Sequence, residues 1–280
     1  MTAYFVYDVF SEHPFGGNQL AVIPDSTNLP EADLQRIARE FNFSETTFVY
    51  PPVSLAHHAK VRIFTPTMEI PFAGHPVIGT AVAMAELGAP EAFTLELGVG
   101  PLPCQVKDGQ AQFATEVPLE VMAKPDIDMV ANTLGLQRSD IATQTHAPTM
   151  ATLGLPFTLS ELTSRKALSE IVIDVASMRK GASDYPASLD FAQFAYWRDG
   201  SNIHARMFAP LDNISEDPAT GSASATLGAL LTHITGENQT FTIHQGEDMG
   251  RLSLIGVSTD QAKVTISGTA KRTMEGHLVY

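Results

Sequence analysis

The chain has 280 residues, a net charge of −14 and one cysteine, Cys104. The acidic balance excludes partners that need clustered lysine and arginine, nucleic acid and anionic membrane alike. A lone cysteine excludes an internal disulfide and any zinc site built on cysteines, and its short apolar setting predicts a buried structural thiol.

The opening M-T-A-Y-F-V-Y-D-V-F carries neither a basic residue nor a long apolar run. Neither a secretory signal nor an anchor is expected, and a cytoplasmic location follows as the expectation. Residues 4–10 and 18–24 read as strands joined by a loop through Pro14, Gly16 and Gly17. Residues 30–42 place Leu34, Ile37, Ala38 and Phe41 at helical spacing, with Pro30 suited to a first turn. Strands are predicted at 46–50 and 60–65 from their Thr, Phe, Val and Ile content. Residues 76–87 have almost no polar face before Glu86, the mark of a helix buried all round. Residues 218–231 repeat that character. Asp108-Gly109 and Asp199-Gly200, each between strand patterns, predict two hairpins.

The Pro-containing stretch 117–126 precedes a short helical pattern at 127–134 and reads as the linker between halves 1–118 and 119–280. Further strands are predicted near 240–244, 252–257, 263–268 and 270–280, the last able to return to the first half.

The chain says nearly the same thing twice. R-I-F-T-P at 62–66 matches R-M-F-A-P at 206–210, and H-P-V-I-G-T-A-V-A at 75–83 matches D-P-A-T-G-S-A-S-A at 217–225. Each copy sets a Pro and a Gly-Thr or Gly-Ser at a buried helix start: Pro76, Gly79 and Thr80, then Pro218, Gly221 and Ser222. Helix N-termini present unpaired N–H groups and partial positive charge, a seat for a carboxylate. One such start would signify close packing of small residues. Two starts, each preceded by a polar residue, favour binding.

Those preceding residues differ, His75 against Asp217. Singly, a His there is a cap or a packed residue and an Asp is an N-cap. The break in the repeat makes them candidates for handling a proton and orienting a substrate. Glu45, between a helix and a strand, reads by itself as a loop charge. Glu69 and Glu216 read as structural or cap-forming carboxylates. No G-x-x-x-x-G-K-[ST], H-E-x-x-H or G-x-S-x-G pattern occurs, and the adjacent His57 and His58 read as exposed loop residues rather than metal ligands.

Four motifs in order make the chain resemble the PhzF family of phenazine-biosynthesis-like isomerases: D-V-F-S-E-H-P-F-G-G-N-Q-L-A-V (8–22), I-A-R-E-F-N-F-S-E-T-T-F-V (37–49), R-I-F-T-P-T-M-E-I-P-F-A-G-H-P (62–76) and E-D-P-A-T-G-S-A (216–223). The resemblance implies an α+β, diaminopimelate-epimerase-like fold. Two pseudo-symmetric halves would each wrap a curved, mostly antiparallel sheet around a central helix, with the site between them. It implies a homodimer, no cofactor, no metal and a small carboxylate-bearing substrate. Glu45 falls on the family's acid/base, His75 and Asp217 on its other catalytic positions, and Ser222, Gly221 and the N–H of Gly74 on substrate binding. The family's best-known reaction isomerises a dihydro-hydroxyanthranilate. Related epimerases use two cysteines at the helix starts, and neither start here holds one. The expected activity is a cofactor-independent proton shift. A racemase working through Glu45 and His75, or a non-catalytic carboxylate binder, are the alternatives.

Overall fold

A computed structural model describes residues 1–186 and 191–279. The chain divides into two compact units, Met1–Ala114 with Ile266–Tyr280, and Thr115–Thr265. The first holds β1 (Thr2–Val9), β2 (Asn18–Ile23), α1 (Glu31–Phe41), β3 (Glu45–Tyr50), β4 (Ala59–Phe64), β5 (Glu69–Ile70), α2 (Gly74–Glu86), β6 (Ala92–Leu97), β7 (Gly100–Lys107) and most of β8 (Gln110–Thr115). The second holds β9 (Glu120–Ala123), α3 (Ile127–Leu134), β10 (Thr149–Thr152), β11 (Pro156–Glu161), α4 (Arg165–Ser169), α5 (Val175–Asp184), β12 (Gln193–Asp199), β13 (Asn202–Ala209), β14 (Ile214–Asp217), α6 (Gly221–Thr235), β15 (Thr240–Gln245) and β16 (Ser253–Asp260). The long β17 (Lys263–Leu278) carries the chain from the second unit into the first. The fold is mixed α+β and rich in strand. Among the described residues no helix is long and apolar enough to cross a membrane.

In the first unit β1 pairs antiparallel with β17 and β2, and β2 pairs parallel with β3. β3–β4, β4–β5, β6–β7 and β7–β8 are antiparallel, and β4–β6 is parallel. In the second unit β11–β12 and β13–β15 are parallel. β9–β10, β10–β11, β12–β13, β13–β14 and β15–β16 are antiparallel.

Alternate residues of β3 show how the first unit uses its sheet. Phe48 joins Leu34, Ile37 and Ala38 of α1 in one apolar cluster with Ile23 and Phe64. Burial of Leu34 and Ile37 stabilises by about 1.5–3 kcal/mol each. Thr47, one residue earlier and so on the opposite face, accepts a 2.9 Å hydrogen bond from Thr80 Oγ1 of α2. That helix is buried from Gly74 through Met84 and packs against β1, β2, β3 and β7. In the second unit α6 is buried along most of its length and packs against β10, β11 and β16. There α3, α4 and α5 supply Val130, Leu134, Leu168 and Met178 to a cluster with Phe191 and Phe208.

The repeated R-x-F segments build the same local device in each unit. Arg62 of β4 donates to both carboxylate oxygens of Glu69 in β5, at 2.8 and 2.6 Å, and lies 5.1 Å from the Phe64 ring centre. Arg206 of β13 donates to both oxygens of Glu216 in β14, at 2.8 Å each, and lies 4.8 Å from the Phe208 ring centre. Glu69 and Glu216 are therefore structural, each tying a short strand to its neighbour through a two-pronged Arg contact.

Several boundaries differ from the sequence reading, and three of them bear on turns and packing. The Asp108-Gly109 turn forms as expected, with both residues at positive φ (52° and 78°). In the second hairpin Asp199 stays in the strand, paired with Asn202, and the turn is Gly200-Ser201 with Gly200 at φ 60°. The segments 263–268 and 270–280 form one strand. Gly268, within this strand, is required by packing, since a Cβ there would sit 2.2 Å from the Phe10 ring. The third difference concerns the second buried helix, which starts at Gly221 rather than at Pro218.

Candidate active site

Glu45 opens β3, where its register partner on β2 is Leu20. His75 was expected just before a helix. It is instead the second residue of α2, because the helix begins at Gly74. Its Nδ1 lies 3.3 Å from Glu45 Oε2, with the two side chains 4% and 14% exposed. Burial pushes the His75 pKa down to about 3, while the Gln19 backbone pulls it up more weakly. The ring is therefore neutral near pH 7, and the contact joins an imidazole to a carboxyl group rather than forming an ion pair. His75 Nε2 is buried and makes no well-aligned hydrogen bond. Such a group costs about 1–3 kcal/mol in a folded protein, which packing elsewhere must offset.

The wall behind this pair is tight. At Gly79 a Cβ would lie 2.5 Å from Leu20 Cδ2 and 2.7 Å from Val9 Cγ2, and both neighbours are fully buried. The G-G-N loop adds a second constraint. Gly17 has φ 62°, and a Cβ there would lie 2.2 Å from the Val9 carbonyl oxygen. Glycine is required there by conformation and by space.

In the second unit Asp217 is the last residue of β14 and does not cap α6. Thr220 holds the N-cap position. Its hydroxyl donates to Asp217 Oδ2 at 2.5 Å. Gln245, fully buried at the end of β15, donates through Nε2 to the Asp217 carbonyl (2.7 Å) and to Thr220 Oγ1 (2.9 Å). Its Oε1 accepts from the Thr220 N–H at 3.1 Å. Asp217 is thus fixed by two residues that the sequence reading passed over. Thr220 was visible inside the D-P-A-T-G motif. Gln245 gave no signal, since only the fold carries it across 25 residues of chain. Gly221 and Ser222 are the first two residues of α6, the former buried and the latter partly exposed.

The two buried helices share an electrostatic peculiarity. Among the described residues, α3, α4 and α5 have side-chain caps from Asp126, Ser164 and Asp174. Helix α1 lacks one but carries Glu31 and Asp33 in its first turn. Only α2 and α6 have neither a side-chain cap nor a first-turn acid. The carboxyl groups near these starts come instead from neighbouring strands, Glu45 beside His75 of α2 and Asp217 on the Thr220 hydroxyl before α6.

Cys104 is buried on β7, with its thiol pushed up to about 12 by desolvation. His57 bonds Glu96 at 2.8 Å and His58 packs on Phe93.

An imidazole–carboxyl contact thus lies at the start of α2 in the first unit, and a braced aspartate just before α6 in the second. The model of the phenazine biosynthesis-like protein family matches residues 7–276, and the chain belongs to that family. An uncharacterized isomerase of Mesorhizobium japonicum is 34% identical, over 99% of this chain and 95% of its own. The trans-2,3-dihydro-3-hydroxyanthranilate isomerase of Pseudomonas fluorescens is 32% identical over the whole of both chains. The Bacillus anthracis PhzF-family crystal structure superposes with a TM-score of 0.85 at 22% identity, covering 100% of this chain and 99% of that one. The chain is an isomerase of the PhzF type.

Proposed function

We propose that this isomerase shifts a proton within a small carboxylate-bearing molecule without a cofactor, using Glu45 as acid and base. Glu45 takes a proton from carbon, the bonding electrons move along the conjugated system, and the same carboxyl returns a proton at another carbon. No atom is gained or lost. His75 orients the Glu45 carboxyl, and Asp217 orients polar groups of the substrate. Gly74, Gly221 and Ser222, with the uncapped helix starts, hold the substrate carboxylate and charge that develops during transfer. A positioned general base contributes about 10²–10⁴-fold.

The observation that carries this reading is the 3.3 Å Glu45–His75 contact with a neutral ring. It bears on the racemase alternative as well. Two-base inversion needs groups on opposite faces of one carbon, and two side chains in contact offer only one face. The register supports a single base from another direction. Phe64 pairs with Thr46 in the first unit, and the matching Phe208 pairs with Gln193 in the second. The position matching Glu45 is then Ala192, which cannot carry a proton.

The reading of two related halves draws support from the strand pairings. In each unit a parallel pair, two antiparallel pairs, a second parallel pair and an antiparallel hairpin follow in the same order. The doubled Arg–Glu devices add to it.

The test is isomerisation in heavy water, with trans-2,3-dihydro-3-hydroxyanthranilate and other small unsaturated carboxylates as probes. Turnover with partial deuterium uptake at carbon is expected, and Glu45→Gln should abolish it. Turnover of E45Q within about tenfold of wild type, roughly 1.4 kcal/mol in barrier, would remove Glu45 from the role.

A further inference from the structure

Outside the residues assigned to proton transfer, one cluster in the second unit has its own chemistry. His204 of β13 and His244 of β15 are direct register partners on parallel neighbouring strands. Residues so paired project from the same face of a sheet. Their ring centres are 5.0 Å apart. Glu247, two residues beyond β15, stands in the tight turn Glu247–Met249, where its Oε2 lies 2.6 Å from His204 Nδ1. One donor atom from each of the three residues falls within 4.8 Å of the others, and all three are partly exposed.

We propose that His204, His244 and Glu247 form a binding site for one divalent transition-metal ion of the zinc type. Donors on a tetrahedral ion at 2.0–2.2 Å lie about 3.4 Å apart, so side-chain shifts of about 1 Å close the set. Two imidazoles and a carboxylate suit zinc, cobalt, nickel or copper, and they do not suit the all-oxygen preference of calcium or magnesium. Three protein ligands leave a fourth position for water, and partial exposure gives the ion an entry path.

Arg165 is the nearest competitor, with Nη2 3.5 Å from Glu247 Oε2. It has a better partner, since it donates to both oxygens of Asp248 at 3.1 Å. Glu247 can therefore turn to a metal without stranding the guanidinium. A plain surface His204–Glu247 pair would explain one contact. It would not explain a second histidine placed in register beside the first.

The chain supplies its own reporter. Trp197 is its only tryptophan, and its ring centre lies 5.5 Å from that of His204. Untagged full-length protein is titrated with zinc by calorimetry, and Trp197 fluorescence is followed during titration with copper(II). One zinc per chain is expected, with quenching of Trp197 by copper and its reversal by excess chelator. His244→Gln and Glu247→Gln should each weaken zinc binding by at least about tenfold, while His233→Ala on α6 should not. Unfolding without metal checks that the variants fold, and two variants keep the test open if one fails to. Absence of zinc uptake by the wild type overturns the proposal. So does uptake that survives both substitutions, or copper binding that leaves Trp197 fluorescence unchanged.

Discussion

Replacing His75 with Gln removes one titrating group from the interior and keeps a neutral polar side chain of similar size. An unfolded histidine titrates near pH 6.5, and His75 in the fold titrates at about 3. Between those values the unfolded chain holds one proton more than the folded one. Stability therefore rises with pH through the window, by up to about 1.4 kcal/mol per pH unit, and is lost as pH falls. From about pH 7 to pH 4.5 this residue alone costs the wild type about 2–3 kcal/mol. Other carboxylates titrate over the same range and cancel in the comparison, and making both measurements in an E45Q background removes Glu45, which touches the ring. Urea unfolding of wild type and H75Q at the two pH values gives four free energies. The wild type should lose about 2–3 kcal/mol more than the variant on acidification. Equal losses would mean that the ring is charged or hydrated in the fold, and the neutral imidazole–carboxyl pair would fall with that result.

Thr220→Val deletes the hydroxyl that joins Asp217 to Gln245. It should lower kcat/KM and cost about 1–3 kcal/mol of stability, as expected for a buried bond to a charged group, whereas T220S should restore both. If T220V turns over like wild type, Asp217 does not depend on this brace. Gly79→Ala should destabilise by about 1–3 kcal/mol in chemical denaturation, because its methyl would press on Leu20 and Val9 in a filled core. An unchanged midpoint would mean that α2 can move away from β1 and β2.

The elements that were legible are those whose cause is local. Leu34, Ile37 and Ala38 repeat at helical spacing and are the buried face of α1. The all-apolar run after Pro76 is a buried helix, as its lack of a polar face predicts. Asp108-Gly109 takes the paired positive φ angles that such a turn needs.

What stayed hidden depends on distant parts of the chain. α4 is only five residues long, and α5 buries just Met178 and Gly181 and so shows no apolar stripe, although their caps Ser164 and Asp174 are plain in the sequence. β17 continues through Gly268 and absorbs a register shift opposite Val6 and Tyr7. The start of α6 slips to Gly221 because Asp217 remains in β14 and Thr220 is held by Gln245. The site itself divides along the same line. Its residue types were readable from the repeat and the family motifs. The 3.3 Å approach of His75 to Glu45, the neutral ring and the Gln245 brace exist only once strands are paired.

The two bare helix starts also constrain how this sequence can drift. A Ser or Asp at Ala73 would be an ordinary gain, about 1 kcal/mol from a new N-cap. On the proposed function, an acid there would also be a resident carboxylate at the spot assigned to the substrate's own. Mutations that make the fold sturdier at this point would thus act as tethered inhibitors. A lineage selected for heat resistance without loss of turnover would be expected to leave these two starts bare and to place new caps elsewhere, α1 among them, since among the described residues only α3, α4 and α5 already carry side-chain caps.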